Sequence, residues 1–178
     1  ALSEKERREK EARFDRALQQ LWVATQPIIS VRDRTVYGYE ALVRTDEPEV
    51  PHPGVFFAVA EELGRTVELD RRIRSEIPAL AANAPPNAVF FVNVAPSSLT
   101  DDDLYSPDAP LSGIAERVVL EITERSSLDH VDRLQGRTNN LRALGFRIAV
   151  DDLGSGYSGL TSFSTLNPDI VKFDMDLI

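Results

Sequence analysis

From Leu21 onward, short apolar runs alternate with longer amphipathic stretches. The apolar runs are Leu21–Pro27, Val36–Val43, Ala88–Val94, Val118–Ile122, Phe146–Asp151 and Asp169–Phe173, and each reads as a strand. Between them, Gly54–Leu63, Leu69–Ala82 and Asp129–Leu144 repeat their apolar residues at helical spacing, and a shorter helical pattern lies near Gly159–Thr165. Ser127 or Asp129 is placed to cap the third of these helices and Gly145 to close it. Thr100–Gly113, with three successive Asp and two Pro, reads as a loop. Ahead of the first strand, Ser3 to about Gln20 holds helix formers of mixed charge, and Ser3 with Glu6 fits a capping box. Its apolar face is thin (Ala12, Phe14, Ala17, Leu18, Leu21), as expected of a solvated terminal helix or of a linker helix from an upstream regulatory domain that could also dimerise. Residues 1–20 are therefore expected to form a charged helix or linker, and 21–178 the domain proper. Strands alternating with helices imply a βα-repeat architecture around a mainly parallel sheet.

Composition narrows the chemistry. At 178 residues, 42% hydrophobic and 28% charged, the chain is one globular domain with room for a core. A net charge of −9 argues against a broad nucleic-acid or membrane-binding surface and against DNA or RNA duplexes as partners. It still allows a small phosphate ligand, because a bound metal reverses the local sign. The absence of cysteine removes disulfides, thiolate metal sites and a Cys nucleophile, and is compatible with a reducing compartment.

The strand ends carry the candidate chemistry. The second strand delivers Glu40, the third Asn93, the fourth Glu121 followed by Glu124, the fifth the pair Asp151-Asp152, and the sixth Lys172 and Asp174. After Asp152 comes the glycine-rich turn Leu153-Gly154-Ser155-Gly156, where a backbone can approach a ligand closely. In a parallel α/β barrel such ends meet at one face. Isolated carboxylates inside apolar strands are costly to bury, and a shared centre of hard divalent cations removes that cost. Two metals about 3.5–4 Å apart would suit such a cluster and a phosphodiester substrate, with Lys172 steadying the attacking water or a phosphate oxygen.

At these residues the chain resembles the EAL domain family, bacterial phosphodiesterases that cleave cyclic di-GMP. The matching motifs are Gln26-Pro27-Ile28, Glu40-Ala41-Leu42, Asn93-Val94-Ala95-Pro96, Glu121-Ile122-Thr123-Glu124, Asp151-Asp152-Leu153-Gly154-Ser155-Gly156 and Lys172-Phe173-Asp174, in family order from about Leu21 to Ile178. The resemblance implies a TIM-like barrel of the EAL type whose first strand is antiparallel to the rest. It implies Mg²⁺- or Mn²⁺-dependent hydrolysis of cyclic di-GMP to linear pGpG, with Ca²⁺ inhibitory. By position, Glu40, Asn93, Glu121 and Asp151 would bind metal, Asp152 mainly the second ion, and Lys172 would orient water, with Lys172, Asp152 and Glu40 as the catalytic set. Gln26, Leu42 and Arg44 would contact substrate, Arg44 through phosphate. Glu124 would anchor the loop after Asp152, a loop tied in the family to dimerisation. A bacterial cytoplasmic setting and an upstream sensory or GGDEF-type domain, through which the chain could be tethered, accord with the family.

The departures from the family pattern are Leu153 in place of a usual Phe, Gly159 in place of a frequent Ser, and length. The family domain continues beyond the position of Ile178, supplying the last two strands and a further catalytic Glu. The chain is therefore expected to be a fragment of a phosphodiesterase with impaired activity. The alternatives are a degenerate domain that binds ligand or a protein partner without cutting, or two copies that complete each other through exposed edges.

Other residues have plainer readings. Trp22, Phe56, Phe57, Phe90 and Phe91 are expected in the core, and His52 and His130 at the surface without metal-ligand spacing. Glu61, Glu62, Glu68 and Asp70 read as solvated helix faces paired with Arg71, Arg72 and Arg74. Asp101–Asp103 lacks the glycine and terminal Glu of a calcium loop.

Overall fold

The computed structural model describes residues 3–123, 133–153 and 166–173, except for the side chains of Thr123, Asp152 and Leu153. Ten regular elements follow in the order α1 (Glu4–Gln19), β1 (Leu21–Ser30), β2 (Thr35–Thr45), α2 (Pro53–Glu62), α3 (Thr66–Ala82), β3 (Val89–Asn93), β4 (Val118–Thr123), α4 (Leu134–Ala143), β5 (Arg147–Leu153) and β6 (Ile170–Phe173). The strands form one sheet in sequence order, β1-β2-β3-β4-β5-β6. The first pair is antiparallel and every later pair is parallel. This is a six-stranded half-barrel.

Alternation along the strands divides the sheet into two faces. Val23, Ala41, Val43, Phe90, Val92, Leu120, Ile122, Ile148 and Val150 point into the main core with the helices. On the opposite face Val89, Phe91, Val119 and Ala149 form a smaller apolar floor, with Ile28 and Ile170 against it. Gly38 stands at this floor, and a Cβ there would meet the Val89 carbonyl oxygen at 2.5 Å, so the close approach of β2 to β3 requires glycine.

α1 begins with the capping box read from its sequence: the Ser3 backbone N–H donates to the Glu6 carboxylate at 2.8 Å, and the Glu6 N–H donates to Ser3 Oγ at 3.3 Å. Its narrow apolar face is sufficient to dock it. Phe14 and Ala17 are fully buried, and Phe14 meets Phe56 edge-on at 5.6 Å while the Arg65 guanidinium lies over its ring. Arg16 pairs with Glu47 and Glu49, and Lys10 with Glu62.

Several elements depart from the sequence expectations. β1 and β2 extend into a hairpin whose turn includes Arg34 at φ 55°, with the Ser30 hydroxyl donating to Asp33 and accepting from the Asp33 N–H. The stretch read as a loop over Thr100–Gly113 contains short 3₁₀ turns, the one at Asp102–Tyr105 started by the Asp101 side chain. α4 is described from Leu134, after Arg133 in a left-handed conformation; Ser127, Asp129, His130 and the pattern at Gly159–Thr165 lie outside the described residues. Gly145, at φ 104°, closes α4 as its position suggested.

The acids of α3 also differ. Asp70 is buried rather than solvated, and accepts from Ser98 Oγ at 2.5 Å and the Ala95 N–H at 2.9 Å. Arg71 and Arg74 turn away from the α2 and α3 acids to grip Asp101, with Arg71 Nη2 at 2.5 Å and Arg74 Nη2 at 2.6 Å. Only Arg72 stays on its helix, with Glu76. The long reach has a physical reason: the chain leaving β3 must satisfy its backbone beside a buried helix, and Asp70 accepts the Ala95 N–H while Asp101, held by the two arginines, accepts the Asp103 N–H. Burial pushes the Asp101 carboxyl up, but the two guanidiniums and the Asp103 N–H together outweigh it and hold it at about 2.

Candidate metal and ligand site

Because β2 to β6 are parallel, their C-terminal ends arrive at one edge of the sheet. The residues between the core-facing ones, Glu40, Asn93, Glu121, Asp151 and Lys172, project on the floor side, above its apolar residues. Asn93 stands beside Glu121 in the β3–β4 register, and the Val94 N–H donates to the Glu121 carbonyl at 2.9 Å.

Lys172 is the hub. Its Nζ lies 2.7 Å from Glu121 Oε1, 3.4 Å from Glu40 Oε1 and 3.4 Å from Asp151 Oδ2. Glu121 is wholly buried and is met by Lys172 as a close ion pair; beyond Lys172 its oxygens have no hydrogen-bond partner among the described residues. Burial pushes the Glu121 carboxyl up to about 7; Lys172 opposes the shift, and the Glu40 and Asp151 charges reinforce it. Burial works against the Lys172 charge in turn, but the surrounding acids hold its pKa above the ordinary lysine value.

This donor set fits a hard divalent cation. Three carboxylates facing one ammonium leave an excess of negative charge, and the buried Glu121 carboxylate, met by Lys172, has oxygen lone pairs left over for a cation. Among the described residues no group of three acids is arranged to hold a metal ion as the side chains stand; the three carboxylates meet on the Lys172 ammonium instead.

The other expected site residues fall around this hub. Gln26 lies directly across from Glu40 in the antiparallel β1–β2 register, and Leu42 and Arg44 continue along β2 on the Glu40 face. Arg44 Nη1 donates to the Val43 carbonyl at 2.8 Å. Asp152 belongs to β5, but its side chain is outside the described set; Glu124 and Asp174 lie outside the described residues. Trp22 differs from its expected place in the core: 45% of it is exposed, across from Arg44. Its neighbours Leu21 and Val23 take the core positions, which leaves Trp22 on the site's face. Asp70, read from the sequence as part of a solvated helix face, instead ties down the backbone just beyond Asn93. Among the described residues no helix is long and apolar enough to cross a membrane.

The chain is similar to known proteins. The chain is 31% identical over 164 residues to the probable cyclic di-GMP phosphodiesterase PdeG of Escherichia coli K12, covering 86% of this chain and 32% of that protein. It is 33% identical over 160 residues to the probable cyclic di-GMP phosphodiesterase PdeD of the same organism, covering 84% and 29%. The chain thus spans under a third of either relative. Among solved structures it resembles BlrP1 of Klebsiella pneumoniae, crystallised with manganese and cyclic di-GMP, at a TM-score of 0.71 and 29% identity over 89% of this chain and 41% of that one. A calcium complex of BlrP1 superposes at a TM-score of 0.70. The fold also matches the EAL domain of Xanthomonas citri FimX, at a TM-score of 0.81 and 20% identity over 98% of this chain and 72% of that one. The EAL domain family model matches residues 11–178, and with that match running through nearly its whole length the chain belongs to the EAL domain family.

Proposed function

We propose that the protein to which this chain belongs hydrolyses cyclic di-GMP to linear pGpG with Mg²⁺ or Mn²⁺, and that the chain carries most of the site. One observation supports this above the others: Glu121 is buried with no hydrogen-bond partner beyond Lys172 among the described residues, and shares that lysine with Glu40 and Asp151. A fold gains nothing in stability from such a cluster, since the desolvation of the charges opposes it. Cation binding explains its presence.

Glu40, Asn93, Glu121 and Asp151 would hold the first cation, and Asp152 a second. When bound, the cations supply Lewis-acid polarisation of the phosphodiester and acidify bound water. Arg44 would neutralise a phosphate oxygen, and Gln26 and Leu42 would seat the ligand beside it. Lys172 keeps its proton, as its raised pKa requires, and its Nζ would donate to the attacking water or to a phosphate oxygen. Glu124 would anchor the loop after Asp152. α1 would connect to a sensory or GGDEF-type domain; the LapD protein of Vibrio cholerae, alike in fold, has an S helix-GGDEF-EAL arrangement.

The test is calorimetric titration of this chain with cyclic di-GMP in Ca²⁺, repeated in Mn²⁺ with product analysis. Binding in Ca²⁺, with little or no linear product in Mn²⁺, is the result expected of a fragment that carries most of the site and has impaired activity. Linear product from the longer protein in Mn²⁺ is expected beside it. Absence of product there would favour a domain that holds the ligand without cutting it, and absence of binding by this chain in both metals would overturn the proposal for this chain.

A further inference from the structure

Trp22 is the chain's one tryptophan. It sits near the start of β1, and because β1 is antiparallel its start lies at the same sheet edge as the ends of β2 to β6. The register there is regular, with Trp22 across from Arg44, Ala24 across from Leu42 and Gln26 across from Glu40. These pairs share one face, the face of the acid cluster. The indole is 45% exposed, yet it is held: its Nε1 donates to Asp46 Oδ1 at 3.1 Å. A large aromatic surface left open to water on a sheet face, with its ring orientation fixed by a hydrogen bond, is a stacking platform.

Its position selects the ligand group. Trp22 and Gln26 are four steps apart along the strand, about 13 Å at the usual rise of ~3.3 Å per residue. The acid cluster sits at one end of this span, while the indole and the Arg44 cation stand together at the other. A cyclic dinucleotide that places one phosphodiester at the cluster extends a base over that distance, and its second phosphate, only a ring's width from the first, would lie between the two ends, towards the long Arg44 side chain. We propose that Trp22 stacks on a base of the dinucleotide ligand while Arg44 receives the adjoining phosphate. This rests on the cyclic dinucleotide reading of the site and assigns a base-binding residue within it.

Trp22 reports on itself, because all indole emission from the chain comes from this one ring. Cyclic di-GMP is titrated in Ca²⁺ against the unaltered chain, Trp22→Ala and Trp22→Phe, with binding followed by calorimetry and, in the unaltered chain, by tryptophan emission. Saturable quenching is expected in the unaltered chain. Trp22→Ala should weaken binding about 10- to 100-fold, the range expected for loss of one stacked base, while Trp22→Phe should stay within about threefold. Calorimetric binding with unmoved emission, or undiminished binding by Trp22→Ala, would overturn the stacking and leave the site reading intact. Equal loss in both variants would assign the effect to the Nε1 hydrogen bond and also overturn it. If the unaltered chain produced no binding heat, the site reading would fall, and the stacking with it.

Discussion

The Lys172 ammonium stands 2.7 Å from Glu121 Oε1 at the centre of a ring of acids, where it is the counter-charge that a cation would otherwise provide. The pair is poorly balanced, because Glu121 is fully buried and Lys172 is shared with Glu40 and Asp151. The Glu121 carboxyl has a folded pKa of about 7 against an ordinary value of 4.5. Its ionisation therefore opposes folding: the cost is absent below about pH 4.5 and complete above about pH 7.

The metal-free protein should accordingly lose stability as pH rises through that window, by up to about 3 kcal/mol from this group. Glu121→Gln removes the titration. At pH 8 the variant should unfold at a urea midpoint equal to or above that of the unaltered chain, whereas at pH 4.5 the two should differ little. A variant clearly less stable at pH 8 would mean that the Lys172–Glu121 pair is a net stabiliser.

Asp101 behaves in the opposite sense. Its folded pKa of about 2 lies below the ordinary 3.8, so its contribution is present above about pH 4 and lost as pH falls towards 2. That contribution is about 2 kcal/mol. Asp101→Asn should lower stability at pH 7 by about 2–3 kcal/mol, because it leaves the buried Arg74 short of its counter-charge. It should also flatten the acid limb of a thermal-melting profile between pH 4 and 2. An unchanged acid limb would show that other carboxylates control it.

Gly38 tests the link between strand packing and the site. A Cβ at this position would press on the Val89 backbone oxygen, which no side-chain rotation can relieve. Gly38→Ala should cost about 1–3 kcal/mol by forcing β2 away from β3. The shift would also move Glu40, two residues along, relative to Glu121, so Mn²⁺ affinity should fall as well. Lost stability with unaltered Mn²⁺ affinity would separate the floor from the site.

The strand ends were legible because parallel strands carry a simple rule: a polar residue closing an apolar run must sit at an open edge or be costly. Glu40, Glu121, Asp151 and Lys172 obey that rule, and the structure brings them together. Trp22 was misplaced because an aromatic residue in an apolar strand is usually core, and its exposure follows from which side of β1 the helices cover. Asp70 and Asp101 were hidden for another reason. Their partners lie far along the chain, about thirty residues from Arg71 to Asp101, and helical periodicity carries no information about such pairs.

The most direct measurement is calorimetric titration of the metal-free chain with Mn²⁺ at pH 7.5, compared with Glu121→Gln and Asp151→Asn. The account predicts saturable binding by the unaltered chain, accompanied by thermal stabilisation, and weakening of about tenfold or more in both variants. Equal binding by all three proteins, or none by the unaltered chain, would contradict the claim that this ring of acids is a cation site.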